Sequence, residues 1–282
     1  MPSFDRSMLE RQPQGQARGG PRGWGRFSLC VGLTLLLSMA GGCLGSGPLF
    51  DRRPPLRVGV SPDYPPVIFE IDGEIVGIEG DLARMVGEAL DRRIEFARYP
   101  FPELIAALER GDVDIVMSGL SITPERADRV AFSLPYMEVG QLALIRSRDI
   151  ARFGRVQGLR RNGVRVGYQR GTSGERYVAM SLPRSSSFGF ESIEEGLRSL
   201  RADRIDYFIH DAPTVWRVAG DIEQRDLHGL YRPLTEEKLA WATRPEDAQL
   251  RSVLDAALSH WKREGSVGSI VQRWIPVRIT LR

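Results

Sequence analysis

The chain has 282 residues, of which 42% are hydrophobic and 27% are charged, a composition typical of a globular protein with one large domain or two of ordinary size. Residues 1–42 contain five of the 39 basic residues and two of the 36 acidic ones, so 34 of each remain in residues 43–282. Because proteins that bind nucleic acid concentrate an excess of basic residues on one face, this balance argues against a nucleic-acid partner.

The N-terminal segment has the pattern of an export signal. Three arginines precede the apolar run FSLCVGLTLLLSMA at residues 27–40, which is shorter than the roughly 20 residues of a bilayer-spanning helix. Small residues then lead to Cys43 in a stretch that resembles a bacterial lipobox, although Ala40 stands where leucine is usual. We predict a lipoprotein signal peptide over residues 1–42 and lipidation at Cys43, with an ordinary cleaved signal peptide as the alternative.

Cysteine and histidine usage gives no sign of a metal site. Cys30 lies inside the predicted signal, which leaves Cys43 as the only cysteine of the processed chain and excludes an intrachain disulfide. The three histidines are scattered between residues 210 and 260. We therefore expect no metal and no cofactor. Residues 43–55 are rich in Gly and Pro, which predicts a tether ahead of the folded part.

From residue 56 onward, predicted strands alternate with predicted helices. The first block contains strands at 56–60, 93–99 and 112–119 and helices at 80–90 and 102–111. The second block contains strands at 163–169 and 204–211, a turn and helix at 170–180, and helices at 192–203 and 212–220. A last strand at 238–244 precedes helices at 250–261 and 266–275.

This alternation predicts parallel sheets flanked by helices. Two apolar runs, at 140–146 and at 238–244, connect the two blocks. We therefore predict two α/β lobes that are joined by two crossings and have a cleft between them. In such folds, ligands bind beyond the carboxyl ends of the strands.

The end of the strand at 112–119 carries groups that suit an anion. Gly119 and Ser121 are followed by Thr123 as the N-cap of a short helix and then by Arg126. Free N–H groups at a helix start attract an anion, and an arginine matches the two oxygens of a carboxylate. The alternative is an Arg126 that pairs with a neighbouring acidic residue on a solvated helix.

Two further strand ends carry polar groups. Thr172 and Ser173 lie in a Gly-rich turn between strand and helix, where backbone N–H groups and hydroxyls can meet an anion; a plain tight turn is the alternative. Asp211 ends the strand at 204–211 and could receive an ammonium group, or could cap the next helix. We interpret His210 as a structural or partly exposed residue.

Two aromatic side chains also follow predicted strands. Tyr64 comes after the first strand and Phe101 after the strand at 93–99. Each could form the wall of a ligand site, although aromatic side chains at such places more often belong to the core.

Five segments resemble, in order, the bacterial extracellular solute-binding proteins of family 3, the amino-acid receptors of ABC importers. They are LRVGVSPDYPPVIF, GIEGDLA, LIAALERGDVDIVMSGLSITPERADRVAFSLPY, VGYQRGTSGE and RIDYFIHDAPTV. The resemblance extends from residue 56 to about 275. It implies an α/β fold of the type II periplasmic-binding-protein class, with two lobes, two hinge strands and a ligand cleft. Lobe 1 is then expected at 56–143 plus 241–282, and lobe 2 at 144–240.

The resemblance also implies roles for single residues. Arg126 would bind the α-carboxylate of an amino acid, and Asp211 its α-ammonium group. Tyr64 and Phe101 would form the aromatic wall. The groups expected to assist Arg126 are Gly119, Ser121, Thr172 and Ser173.

The implied function is that of a binding protein rather than an enzyme. A monomer in the periplasm or at the cell surface, lipid-anchored to the membrane, would capture an amino acid by lobe closure and deliver it to an ABC permease in the inner membrane. One alternative is a cyclohexadienyl (arogenate) dehydratase on the same fold, although the glutamate that this branch has directly after the turn is replaced by Gly174, with Glu175 one residue later. The other is a stand-alone ligand sensor. Arg170, near the turn, hints at an acidic or polar ligand side chain.

Overall fold

The computed structural model describes residues 53–275. The predicted signal peptide, Cys43, most of the tether and residues 276–282 lie outside the described residues. The strands are β1 Leu56–Val60, β2 Asp63–Tyr64, β3 Ile68–Ile71, β4 Glu74–Val76, β5 Ile94–Arg98, β6 Ile115–Val116, β7 Ala131–Phe132, β8 Met137–Val139, β9 Gln141–Arg146, β10 Arg165–Gln169, β11 Ser186–Phe190, β12 Tyr207–Asp211, β13 Leu227–Leu230, β14 Glu237–Leu239 and β15 Ala242–Thr243.

Nine α-helices lie between or after these strands in the described part of the chain. They are α1 Ile78–Leu90, α2 Leu104–Glu109, α3 Pro124–Ala127, α4 Ile150–Phe153, α5 Ser173–Ser181, α6 Ile193–Arg201, α7 Ala212–Gly220, α8 Ala248–Glu264 and α9 Ser266–Trp274. Among residues 53–275, no helix combines the length and the apolar character needed to cross a bilayer.

The first lobe is built on a five-stranded sheet. Its order is β5-β1-β6-β15-β7, with β1 parallel to β5 and β6 and with β15 antiparallel to its neighbours. Leu56, Val58 and Val60 are fully buried, as expected of a strand covered on both faces. The strand predicted at 112–119 is much shorter, because only Ile115–Val116 pairs in the sheet and the residues that follow form a buried turn.

The second lobe is built on a separate five-stranded sheet. Its order is β11-β10-β12-β9-β13, with β10 parallel to β11 and β12. The strand Gln141–Arg146 pairs antiparallel with β12 and β13 along its length and is fully buried. The predicted boundary after residue 143 is therefore corrected, because it cuts a strand that pairs with β12 and β13 of the second sheet.

Two short strands connect the lobes. β8 and β14 form their own antiparallel ribbon, in which Met137 faces Leu239 and Glu138 faces Lys238. The first crossing lies at 137–139, a few residues before the apolar run at 140–146 that was predicted to form it. The second lies at 237–239, so it includes only the start of the run predicted at 238–244. The single strand predicted at 238–244 is thus two strands, β14 in the ribbon and β15 in the first sheet.

A small antiparallel sheet follows β1 and was missing from the sequence-based assignment. Strands β2, β3 and β4 pair in order, and Asp72 and Gly73 turn the chain between the last two with φ of 51° and 85°. An Asp-Gly pair between apolar runs is a known hairpin signal, so the sequence did contain the information. This sheet carries Tyr64 to the edge of the cleft.

Gly196→Ala tests the packing of the second lobe. A Cβ at this position in α6 would overlap the ring of Phe208 on β12. We expect the variant to lose about 1–3 kcal/mol of unfolding free energy in urea denaturation, the usual cost of overpacking. Gly268→Ala in α9 is the matched control, because a Cβ there meets nothing within 4 Å. Equal unfolding free energies of the two variants would contradict the packing.

Candidate functional site

One cavity in the cleft collects the residues that the sequence analysis selected. Its lining contains all eight: Tyr64, Phe101, Gly119, Ser121, Arg126, Thr172, Ser173 and Asp211. They come from both lobes, at the ends of strands and at the starts of α3 and α5. The free volume is about 20 Å³, close to the space that one water molecule needs. In this closed arrangement, side chains of the two lobes contact one another across the cleft.

Arg126 is held by backbone carbonyls of both lobes. Its Nη1 donates to Ser121 O at 2.9 Å and its Nη2 to Gly171 O, across the cleft, at 3.0 Å. The guanidinium lies 5.4 Å from the centre of the Phe101 ring, within cation–π range. Burial lowers the pKa of Arg126, and the nearby Asp211 opposes that shift. The group remains a cation, since arginine is not deprotonated in proteins.

The alternative pairing of Arg126 with an adjacent acidic residue is not observed. Glu125 instead accepts a hydrogen bond from Arg176 Nε of the second lobe, at 2.9 Å. Thr123 caps the helix as predicted, accepting from Arg126 N at 3.3 Å. The arginine side chain is therefore directed into the cleft rather than along its own helix.

Asp211 is buried at the end of β12. Its Oδ2 accepts from Tyr64 Oη of the first lobe at 2.6 Å, and its Oδ1 accepts from Gln141 Nε2. Burial, and next the charge of Glu237, raise the pKa of Asp211 to about 6, although Tyr64, Gln141 and Arg126 lower it. The carboxylate occupies the N-cap position of α7 but makes no capping hydrogen bond with its side chain. It therefore faces the cleft.

Some polar groups of the turn after β10 form hydrogen bonds within the turn itself. Thr172 Oγ1 donates to Gln169 O at 2.7 Å, whereas Ser173 Oγ accepts from Gln141 Nε2 at 3.0 Å and lies 3.5 Å from Ser121 Oγ. Glu175 accepts from Gly171 N at 2.7 Å and is not part of the cavity lining. The only carboxylate of this turn thus stabilises the turn instead of facing the cleft.

Sequence reasoning missed a hydrogen-bonded group on the same cavity wall. Asp63 accepts from Ser61 Oγ and from Gln169 Nε2, each at 3.0 Å, and Gln169 Oε1 is 3.1 Å from His210 Nε2. Burial lowers the pKa of His210 to about 3, so the imidazole is neutral, and burial raises the pKa of Asp63. Asp63 and Gln169 both stand at strand ends, which is the signal that could have identified them.

Two other expectations concern residues outside this cavity. Arg170 pairs with Glu191 at 3.0 Å, both side chains are exposed, and Arg170 is not among the residues that line the cavity. The hint that it meets a ligand side chain is therefore not supported. Within residues 53–275, no cluster of three or more His, Cys, Asp or Glu residues could hold a metal ion.

A larger cavity of about 720 Å³ lies beside the hinge ribbon. Its charged groups belong to the ribbon and its approach: Glu138, Glu236, Glu237 and Lys238. Ligands of open α/β sheets bind beyond the carboxyl ends of the strands. In this chain, Arg126 and Asp211, which are opposite in charge, meet at that place in the cleft. We therefore take the cleft as the candidate site despite its smaller volume.

Tyr64→Phe tests the electrostatics of the cleft without ligand. Because the Tyr64 hydroxyl stabilises the charged form of Asp211, its removal should raise the pKa of Asp211 further above 6. The measurement is a titration of the carboxyl ¹³C signal by NMR. Tyr231→Phe, at an exposed tyrosine outside the cleft cavity, is the control. An unchanged pKa in Tyr64→Phe would show that the hydroxyl does not hold Asp211 in solution.

Comparison with known proteins places this chain among binding proteins. The family model described as "Bacterial extracellular solute-binding proteins, family 3" matches residues 56–277. The ABC transporter arginine-binding protein 1 of Escherichia coli (strain K12) is 29% identical over 231 residues, which are 78% of this chain and 90% of that protein.

Two solved structures are similar over most of both chains. An ancestral arginine-binding protein bound to arginine has a TM-score of 0.71 and 27% identity, covering 79% of this chain and 98% of the other. An ancestral amino acid-binding protein described as a precursor of cyclohexadienyl dehydratase has a TM-score of 0.71 and 30% identity, covering 78% and 94%. These similarities confirm the predicted fold class.

Proposed function

The chain belongs to family 3 of the bacterial extracellular solute-binding proteins, and from this premise we propose that it captures an α-amino acid by lobe closure and delivers it to an ABC importer. One observation carries the proposal: Arg126 and Asp211, opposite in charge and supplied by different lobes, line the same cavity. An α-amino acid is a zwitterion whose two charges suit such a pair.

The hydrogen-bonding capacity of Arg126 suits a carboxylate ligand. The guanidinium has five N–H donors, and the two carbonyl contacts leave others for a ligand. Hydrogen bonds between charged partners contribute about 1.5–3 kcal/mol each. The hydroxyls of Ser121 and Ser173 are 3.5 Å apart on the wall of the same cavity and could donate to the same carboxylate. The ammonium group would replace the Tyr64 hydroxyl as a partner of Asp211.

Binding requires the lobes to separate first. The free volume of about 20 Å³ is too small for an amino acid, and contacts such as that of Tyr64 with Asp211 close the cleft. Opening about the ribbon of β8 and β14 would admit the ligand, and closure would then remove water from both charged groups. A ligand that contacts both lobes shifts the population toward the closed state, which a permease can recognise.

Asp63 favours a ligand side chain that donates hydrogen bonds. It is a second carboxylate on the cavity wall, and an acidic side chain would be repelled by it. Similar proteins named as arginine-binding support a cationic side chain, so arginine is the first candidate. A cationic side chain replaces the acidic or polar one that Arg170 had suggested.

The same proposal includes the cellular setting. The signal pattern supports export, lipidation at Cys43 and attachment to the membrane at the periplasm or cell surface. A relative named as an ABC transporter component supports an inner-membrane permease as partner. The proposal also takes the protein to act as a monomer. A stand-alone sensor would use the same site and differ only in its membrane partner.

The dehydratase alternative has weaker support from the site. Glu175, the acidic residue next to the expected position, bonds to Gly171 N and stays off the cavity wall. Asp211, with its pKa of about 6, is the group that could act as an acid. We therefore propose binding without turnover and test turnover directly.

A thermal-shift screen tests the function. The exported domain is unfolded and refolded to remove carried-over ligand, and then mixed with each of the twenty amino acids and with arogenate. A stabilising shift with one or a few amino acids, arginine among them, supports the receptor. Phenylalanine released from arogenate would establish a dehydratase. No shift with any compound would contradict amino-acid binding.

Arg126→Ala should weaken binding of the amino acid found in the screen about 100-fold or more by calorimetry, because truncating one partner of a buried charge pair costs several kcal/mol. Arg176→Ala is the matched control, since this arginine also crosses the cleft but pairs with Glu125 at the exposed rim. It should change the Kd less than about threefold, as exposed pairs contribute little. Wild-type affinity in Arg126→Ala would place the carboxylate site elsewhere.

Asp211→Asn separates the two halves of zwitterion recognition. The substitution should strongly weaken binding of the amino acid but leave binding of its deaminated analogue, which lacks the ammonium group, nearly unchanged. The readout is the ratio of the two Kd values in wild type and variant. An unchanged ratio would remove Asp211 from the site.

A further inference from the structure

One carboxyl group is buried beneath the cleft without a cation in contact. Glu79, in the first turn of α1, has 0% exposure, and its Oε2 accepts from Gly119 N at 2.6 Å. Tyr136 and Trp241 are its other polar neighbours. Glu79 Oε1, Tyr136 Oη and Trp241 Nε1 are buried and have no hydrogen-bond partner among residues 53–275. Burying such a group costs free energy, so packing alone does not account for it.

The turn that Glu79 holds lies directly under the ligand site. Gly119 lines the cavity with φ of 65°, and a Cβ there would overlap the Tyr64 ring. On one side of it, Ser118 Oγ accepts from the backbone N–H of the residue that begins the loop to Tyr64. On the other side, Ser121 O accepts from Arg126. The position of this turn therefore sets the positions of both Tyr64 and Arg126.

The same carboxyl group faces the two chain segments that lead to the hinge. Tyr136 immediately precedes β8, and Trp241 follows β14. Their rings stack with centroids 6.1 Å apart, and Tyr136 N donates to Leu239 O at 2.9 Å. Glu79 thus lies where the ligand-site turn meets both crossings between the lobes.

We propose that Glu79 is a positioning residue for ligand binding, whose carboxyl group holds the turn at Gly119 in its ligand-binding geometry against the two segments that enter the hinge. The inference rests on the proposed amino-acid binding, and it adds a residue outside the cavity that controls it. Ionisation of this carboxyl group disfavours its fully buried position in the closed arrangement and so weakens ligand binding.

The direction of the pH effect follows from burial. Burial raises the pKa of Glu79 to about 8, and the hydrogen bond from Gly119 N together with the nearby polar groups of Tyr136 and Trp241 offsets this only partly. Tyr136 is the titratable side chain that faces it, and burial holds the pKa of Tyr136 well above its usual value, so the hydroxyl stays neutral. Because the carboxyl group is fully buried in this closed arrangement, opening of the lobes admits water and favours its ionised form. Closure on a ligand is then linked to proton uptake, so affinity falls as the pH rises toward 8.

Three variants separate this role from simple packing. Glu79→Gln keeps an oxygen acceptor for Gly119 N but cannot ionise, Glu79→Met removes the acceptor, and Glu74→Gln is the control at an exposed glutamate of the same lobe. The probe is L-arginine, titrated by calorimetry between pH 6.5 and 9.5. The amide signal of Gly119 is followed over the same pH range by NMR without ligand.

The ligand itself titrates over this range and changes the affinity of every variant in the same way, so affinities are compared with that of Glu79→Gln at each pH. Relative to Glu79→Gln, we expect wild type and Glu74→Gln to lose about tenfold in affinity between pH 6.5 and 9.5. The Gly119 amide should titrate near pH 8 in wild type and not in Glu79→Gln. Glu79→Met should bind weakly at every pH. Identical pH profiles and a silent Gly119 amide would overturn the proposal. If wild type does not bind L-arginine, the proposed ligand is wrong, and the Gly119 titration still decides the role of Glu79.

Discussion

The proposed ligand recognition depends on one electrostatic constraint: two groups of opposite charge, supplied by different lobes, share a cavity from which most water is excluded. Burial works against both, because it raises the pKa of Asp211 to about 6 and lowers the pKa of Arg126. Their mutual attraction and the bonds from Tyr64 and Gln141 only partly offset the desolvation of Asp211. A ligand that brings an opposite charge to each of these two groups therefore stabilises the closed site most.

The fold explains why these charges can be brought together and separated again. Each lobe has its own five-stranded sheet, and the two are linked by the short ribbon of β8 and β14. Several of the contacts that close the cleft come from the site itself: Tyr64 with Asp211, Asp63 with Gln169, and Arg126 with Gly171. Ligand binding and lobe closure therefore involve the same side chains. Glu79 extends this coupling to the base of the first lobe.

Alternating apolar segments were enough to predict two α/β lobes. Polar and aromatic groups near strand ends, together with the family resemblance, selected eight of the eleven residues that line the cavity, and Asp63, Gln169 and His210 were not among them. What failed depends on pairing between distant segments. The run at 140–146 is apolar whichever sheet it joins, and only its hydrogen bonds to β12 and β13 assign it to the second. Gln141 and Gln169 were missed for a related reason, since an amide side chain has no charge to suggest a ligand. Their roles arise from partners across the fold.

The most direct test of zwitterion recognition compares three ligands on the wild-type protein by calorimetry: the amino acid found in the screen, its decarboxylated amine and its deaminated acid. We predict that loss of either group weakens binding about 100-fold or more, since each loss leaves one charged group of the closed cleft without a partner. If either analogue binds within about threefold of the amino acid, recognition by Arg126 and Asp211 together is contradicted.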